Sequence, residues 1–253
     1  MTAPPTALAG TVVLLRRNLR RTVRDPAPAL TAILVPAVIA LVSVTVFGGA
    51  LGSGGSYVDY VTPGLLVLAA GCAPAPTASA VRADVSTGVL DRLTVMDVPR
   101  GCALAGHVIV AVLRCLVSCA ALLALAFALG FAPGAGALDW LGVLGVLALL
   151  GCAGGWLAVA AGLAARSARA AGLAAVAPAV LPFLSSAFVP VATMAAGVRQ
   201  FAGYQPLTPV TETLRGLLAG SPCGADAFAA VAWCAGLALA GCAGAVLGSG
   251  RRP

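Results

Sequence analysis

The side chains that could do chemistry are few: eight cysteines, one histidine, eight carboxylates and fifteen basic residues, every one of them arginine. Cysteine and histidine together suggest a metal centre, but no pair stands at C-x-x-C spacing and His107 has no second histidine to join it. A structural zinc site needs four such ligands at set spacings, so a metal is not expected. Cys72, Cys115, Cys119, Cys152, Cys234 and Cys242 lie inside apolar runs, as small buried side chains do, and Cys223 alone falls in a loop. The glycine- and serine-rich stretch at 48–56 could be taken for a phosphate cradle, but a nucleotide-binding loop of that kind needs a lysine and the chain has none. ATP is therefore not expected to bind here.

Nucleophilic and acid–base chemistry fare no better. Asp25, Asp59, Asp84, Asp91, Asp97, Asp139, Glu212 and Asp226 all fall in predicted loops or at predicted helix ends. His107 has no carboxylate beside it in sequence, so no nucleophile–base–orienter set is visible. An acid in mid-membrane is the usual sign of proton or ion coupling, and none is expected.

The elements that carry these residues follow from composition. Of 253 residues 60% are hydrophobic and 9% charged, against the roughly 25% charged residues of a soluble domain. Most of the surface must face lipid. The net charge of +7 is spread among apolar runs, which fits a membrane surface better than nucleic acid. The lack of lysine with abundant alanine, glycine and proline suggests a GC-rich bacterial genome. No cleavable leader is expected, because the apolar stretch at 11–15 runs straight into Arg16 and Arg17.

Charges divide the chain into six uncharged runs long enough for the ~20 residues of a membrane helix. The predicted fold is thus all-α, a single six-span membrane domain over 1–253, with spans near 27–47, 61–81, 115–133, 141–163, 171–190 and 227–248. Prolines at 178, 182 and 190 punctuate the fifth span, where kinks are expected. With both termini cytoplasmic, only Arg199 and Arg215 fall outside, so thirteen of the fifteen arginines lie inside. Residues 7–24 alternate Leu8, Val12, Leu15, Leu19 and Val23 with five arginines at helical spacing, predicting an interfacial helix. Residues 82–114 predict an amphipathic helix at the cytoplasmic face, and 191–226 short helices that dip back toward the membrane. Gly151 with Gly155, and Gly244 with Gly248, allow close helix packing, most simply within one chain.

Several motifs together resemble the ABC-2 type transporter permeases, in particular their daunorubicin-resistance branch. These are Tyr57-Val-Asp59-Tyr60-Val-Thr-Pro63-Gly64, then Asp84-x-x-x-Gly88-x-x-Asp91-Arg92-Leu93 with Pro99-Arg100. Further along come Pro182-Phe183-Leu184-Ser185-Ser186-Ala187-Phe188-Val189-Pro190 and Gln205-Pro206-Leu207-Thr208-Pro209-Val210-x-Glu212-x-Leu214-Arg215-Gly216. Gln205 stands where the family commonly has asparagine. The resemblance implies a permease subunit in a bacterial plasma membrane, paired with a second copy and docked on a separate ABC ATPase subunit that binds ATP and magnesium. It further implies an ATPase-coupling element of Arg82, Asp84, Gly88, Asp91, Arg92, Pro99 and Arg100. An outer gate would be shaped by Phe188, Pro190, Pro206, Pro209, Glu212 and Arg215. The implied cargo is an amphiphilic small molecule such as a drug. Export of a lipid-linked glycan, or a non-transporting scaffold, are the alternatives.

Overall fold

A computed structural model of the chain describes residues 7–51, 55–89, 92, 100–189, 191, 194–221 and 224–250, and among them there is no strand. Helix α1 (Ala7–Arg24) ends at Asp25, since Pro26 disfavours helical backbone in the residue before it. Pro26 then offers its carbonyl to Ala29 and Leu30, opening α2 (Ala27–Leu51). Most of α2 faces outward through Leu30, Leu34, Val38, Leu41 and Val42, as a lipid-facing helix must.

The next run is the centre of the molecule. Helices α3 (Gly55–Cys72) and α4 (Ala75–Ser86) together form one apolar stretch, Tyr57–Ser86. Val61, Leu66, Val67 and Leu68 within it are among the most buried side chains. The predicted span at 61–81 is therefore longer at both ends, and it is broken in the middle. Pro74 has no N–H to donate to the preceding turn, and Thr77 bonds the Pro74 carbonyl instead of Ala73.

Helix α5 (Arg100–Ala128) corrects the predicted third span. Its membrane-length portion is Gly101–Ala128 rather than 115–133, so Arg114 sits in mid-helix, not in the loop before it. Helix α6 (Ala137–Ala164) starts where the Asp139 carboxylate accepts the Gly136 N–H at 2.8 Å, an acid in the first turn favoured by the helix dipole. It packs on α5 through Gly151 and Gly155, against Cys115 and Ala111. The last helix, α10 (Ala225–Gly250), lies on α6 with Gly244 and Gly248 against Ala160 and Leu163. Both glycine pairs thus serve packing within the chain.

Among the described residues, five helices are long and apolar enough to cross a membrane: Ala27–Val46, Tyr57–Ser86, Gly101–Ala128, Ala137–Ala164 and Ala225–Gly248. The predicted span at 171–190 is a shorter apolar run, Ala168–Leu184, made of α7 (Ala168–Val176) and a 3-10 helix (Ala177–Leu184). It nevertheless lies antiparallel beside α3 and α4 over much of their length. Ser79 Oγ donates to the Ala168 carbonyl at 3.2 Å, Gly71 abuts Ala179, and Tyr60 OH donates to the Ser186 carbonyl at 3.1 Å. At Gly64 a Cβ would overlap the backbone of Ala187, so only glycine permits this approach. Residues 196–219 form two helices, α8 (Ala196–Tyr204) and α9 (Leu207–Ala219), and α9 is packed among α3, α6 and α10.

Candidate functional site: two charged clamps at the ends of one broken helix

The predicted coupling residues do not share one helix. Arg82 and Asp84 lie toward the end of α4, and Gly88 makes the turn after it with φ of 67°. Gly88 N–H bonds the Val85 carbonyl, a left-handed helix end that glycine adopts without strain. The chain then turns helical again, with Arg92 N–H on the Gly88 carbonyl and the Arg92 side chain exposed. Arg100 opens α5, and Asp91 and Pro99 lie outside the described residues.

Asp84 is the surprise, because it is 2% exposed. An unpaired carboxylate in that position would cost several kcal/mol, and three cationic or polar groups from two other helices meet it. Arg17 of α1 holds it with both ends of its fork, Nη2 to Oδ1 at 2.7 Å and Nη1 to Oδ2 at 3.1 Å. Arg21, one turn on, reaches Oδ1 at 3.4 Å, and His107 Nε2 of α5 lies 3.1 Å from Oδ2. The expectation that His107 lacks a carboxylate is corrected here: Asp84 is its partner, brought from 23 residues away. Asp84 does lie near a helix end, as expected, but that end is buried against α1 and α5. Nearby, Arg82 Nη2 donates to the Arg166 carbonyl at 3.2 Å, tying α4 to the loop before α7.

Arg114, about two turns beyond His107 on α5, serves the helix break. Its Nη1 donates to the Ala73 carbonyl at 3.3 Å and to Thr77 Oγ1 at 3.1 Å, replacing the partner that the break removed. On its other side the break faces an apolar cavity of about 160 Å³ between Gly71, Pro74, Leu150, Gly154, Leu181 and Leu207.

The second clamp is at the opposite end of α3. Arg215 of α9 donates through Nη1 to Glu212 Oε1 at 2.6 Å and through Nη2 to the carbonyls of Ser186, at 3.0 Å, and Tyr60, at 3.3 Å. Its guanidinium carbon also stands 4.1 Å from the centre of the Tyr60 ring, a cation–π contact. Four of the predicted gate residues thus gather around one helix. Pro206 caps α9, Pro209 is buried in its first turn, and Glu212 and Arg215 face Tyr60 and Ser186. Phe188 stacks on Phe183 with ring centres 4.8 Å apart, beside the clamp rather than in it. Pro190 lies outside the described residues. Gln205 bridges two segments, donating to the Leu184 carbonyl at 2.7 Å.

Arg17, Arg21, His107, Tyr60 and Ser186 are not among the predicted coupling or gate residues. For the two arginines a signal exists: four residues apart, they share a helix face, and an acid set among Val81, Ala83 and Val85 needs a cation from elsewhere. For the Ser186 carbonyl there is no signal, since any residue supplies one. Among the described residues no three or more His, Cys, Asp or Glu side chains gather as metal ligands would.

The motifs at residues 57–64, 84–93, 182–190 and 205–216 therefore frame two clamps on a multi-pass helical membrane protein. The sequence profile of the ABC-2 type transporter family matches residues 10–219. The chain belongs to the ABC-2 type transporter family. It is also 28% identical over 221 residues to the daunorubicin resistance ABC transporter permease protein DrrB1 of Streptomyces coeruleorubidus, covering 87% of this chain and 78% of the relative. The family match over residues 10–219 includes both clamps.

Proposed function

We propose that this chain is the membrane-spanning subunit of an ATP-driven exporter, moving an amphiphilic small molecule of the drug or antibiotic class out of a bacterial cell. The observation that carries this reading is the family match over 10–219, with a drug-resistance permease aligned along 87% of the chain. The chain has no lysine with which to build a nucleotide loop, so ATP and magnesium belong to a separate ABC ATPase. The working unit pairs two such chains with two ATPase subunits.

The path crosses the plasma membrane six times with both termini cytoplasmic. The run Ala168–Leu184 supports the sixth crossing despite its length. Nine α-helical and eight 3-10 residues extend about 30 Å, the thickness of a hydrocarbon core, because a 3-10 helix rises ~2.0 Å per residue. Its contacts from Ser79 to Tyr60 run in step with that distance. The two helices that follow, α8 and α9, form the re-entrant outer segment.

In this reading the Asp84 clamp makes α1, α4 and α5 one lever at the cytoplasmic face. Closure of the ATPase pushes on the segment around Gly88, Asp91, Arg92, Pro99 and Arg100. Because Arg17 grips Asp84 in two places, the push also reaches α1. The broken helix carries it across the membrane to Arg215, where Phe188, Pro190, Pro206, Pro209 and Glu212 shape the outer gate.

The test is to co-express the chain with an ATPase encoded beside it, purify by a tag on one partner, and measure ATPase activity with candidate amphiphiles. Co-purification and stimulation are expected, with stimulation lost in Asp91→Ala and Arg92→Ala. Transport by this chain alone in ATPase-free vesicles would sink the reading.

A further inference from the structure

Two grooves meet on the arginine-rich end of the molecule. One, of about 290 Å³, is bordered by the end of α1, the start of α2, α4 and α5, and is lined by Arg21, Asp25 and Arg114. The other, of about 320 Å³, runs between α2, the helix break and α7, lined by Ala32, Val35, Cys72 and Gly172. Pro28, Pro76 and Ser79 line both, so the two are one groove with a charged end and an apolar end.

The charges at the polar end do not cancel. Two arginines face one acid, Asp25. Arg21 is only weakly engaged by Asp84, at 3.4 Å, and its side chain is 49% exposed. Arg114 spends Nη1 on Ala73 and Thr77, while its Nε is buried without a partner. A guanidinium keeps up to five donors in a plane that matches phosphate oxygens. The apolar end opens beside α2, whose Leu34 and Val38 point outward and whose Val35 is 48% exposed, so it is continuous with the bilayer.

We propose that this groove is a binding site for one anionic phospholipid of the leaflet on the arginine-rich side, its phosphate between Arg21 and Arg114 and an acyl chain along Val35. A single negative charge balances the residual positive one. An acyl chain fits the second compartment for the same reason that α2 does: both are hydrocarbon. The inference does not depend on the exporter reading.

The test uses the full chain in a neutral detergent, titrated with phosphatidylglycerol or phosphatidylcholine and followed by native mass spectrometry and thermal melting. One phosphatidylglycerol is expected to stay bound and raise the Tm, where phosphatidylcholine does not. Arg21→Gln is expected to weaken phosphatidylglycerol binding about fivefold, roughly the effect of one basic residue at a lipid surface. Val35→Trp, which fills the apolar end from an exposed position, should lower retention of the same lipid while leaving the unliganded Tm unchanged. Arg20→Gln removes a charge from the same helix outside the groove and should leave binding intact. Arg114→Gln also uncaps the helix break, so Arg114→Lys accompanies it to separate folding from binding. Equal binding of the two lipids, or phosphatidylglycerol binding indifferent to both Arg21→Gln and Val35→Trp, would overturn the proposal. So would a Tm rise with inorganic phosphate alone that Val35→Trp leaves untouched, since the occupant would then be a free anion.

Discussion

The Asp84 carboxylate accepts two hydrogen bonds from Arg17, one from Arg21, and faces His107, while its own side chain is 4% exposed and that of Arg17 is 38% exposed. The asymmetry in burial decides which substitution hurts more. Asp84→Asn leaves arginines that can turn to water, so the loss is about 2 kcal/mol, near that of hydrogen bonds to charged groups. Arg17→Gln strips the fork from a carboxylate that cannot reach water, and about 3 kcal/mol is expected. Chemical unfolding in detergent measures both, and the double variant should cost less than their sum by at least ~1 kcal/mol. Strict additivity would mean that the two groups do not interact. At the other end, Arg215→Lys keeps the charge but cannot reach Glu212, Ser186 and Tyr60 together. It should lose about 1–2 kcal/mol, more than Tyr60→Phe, which removes one neutral hydrogen bond; equal losses in the melting curves would mean the fork is not used. That Asp84 would be buried was not legible, because its burial depends on α1, a helix more than sixty positions away.

At the scale of elements, the long helices follow from uncharged runs, and their ends follow from proline, glycine and charge. The break in Tyr57–Ser86 has a local signal in Pro74 and Pro76, although the predicted span at 61–81 runs through it; that Arg114 would close it has none, because the third span is predicted to start after that residue. The predicted coupling helix divides at Gly88 for a local reason, its left-handed backbone, which the sequence motif contains without revealing. Two glycines separate space from conformation as causes. Gly88→Ala meets no neighbour and should cost about 1 kcal/mol through backbone strain alone. Gly64→Ala meets the Ala187 backbone and should cost about 1–3 kcal/mol by prising α3 from the segment beside it. If Gly64→Ala melts like the parent, that contact is not tight.

For the whole molecule the open matter is the crossing at Ala168–Leu184. In a background with the eight cysteines replaced, Ser167→Cys and Tyr204→Cys bracket it, both at exposed positions. A membrane-impermeant thiol reagent applied to right-side-out cells should label Tyr204→Cys and spare Ser167→Cys, with the reverse in inverted vesicles. Labelling of both from one face would remove the sixth crossing and place α9, with Arg215, on the arginine-rich side.

Composition alone sufficed for the membrane, since a chain with 9% charged residues has too few to coat a water-facing surface. The helical class followed as well, because a backbone in hydrocarbon must bond to itself and uncharged runs of ~20 residues do so as helices, barrel strands being about half as long, and the family was legible in the motifs around residues 57–64, 84–93, 182–190 and 205–216. What needed the folded chain was every partnership across helices: Asp84 with Arg17 and His107, Arg114 with Ala73, Arg215 with Tyr60 and Ser186. Hydropathy says how deep a residue sits. Which face meets which neighbour depends on the rotation and register of packed helices, and the side chains that set these are mostly Ala, Gly, Val and Leu, repeated so often that their order singles out no pair.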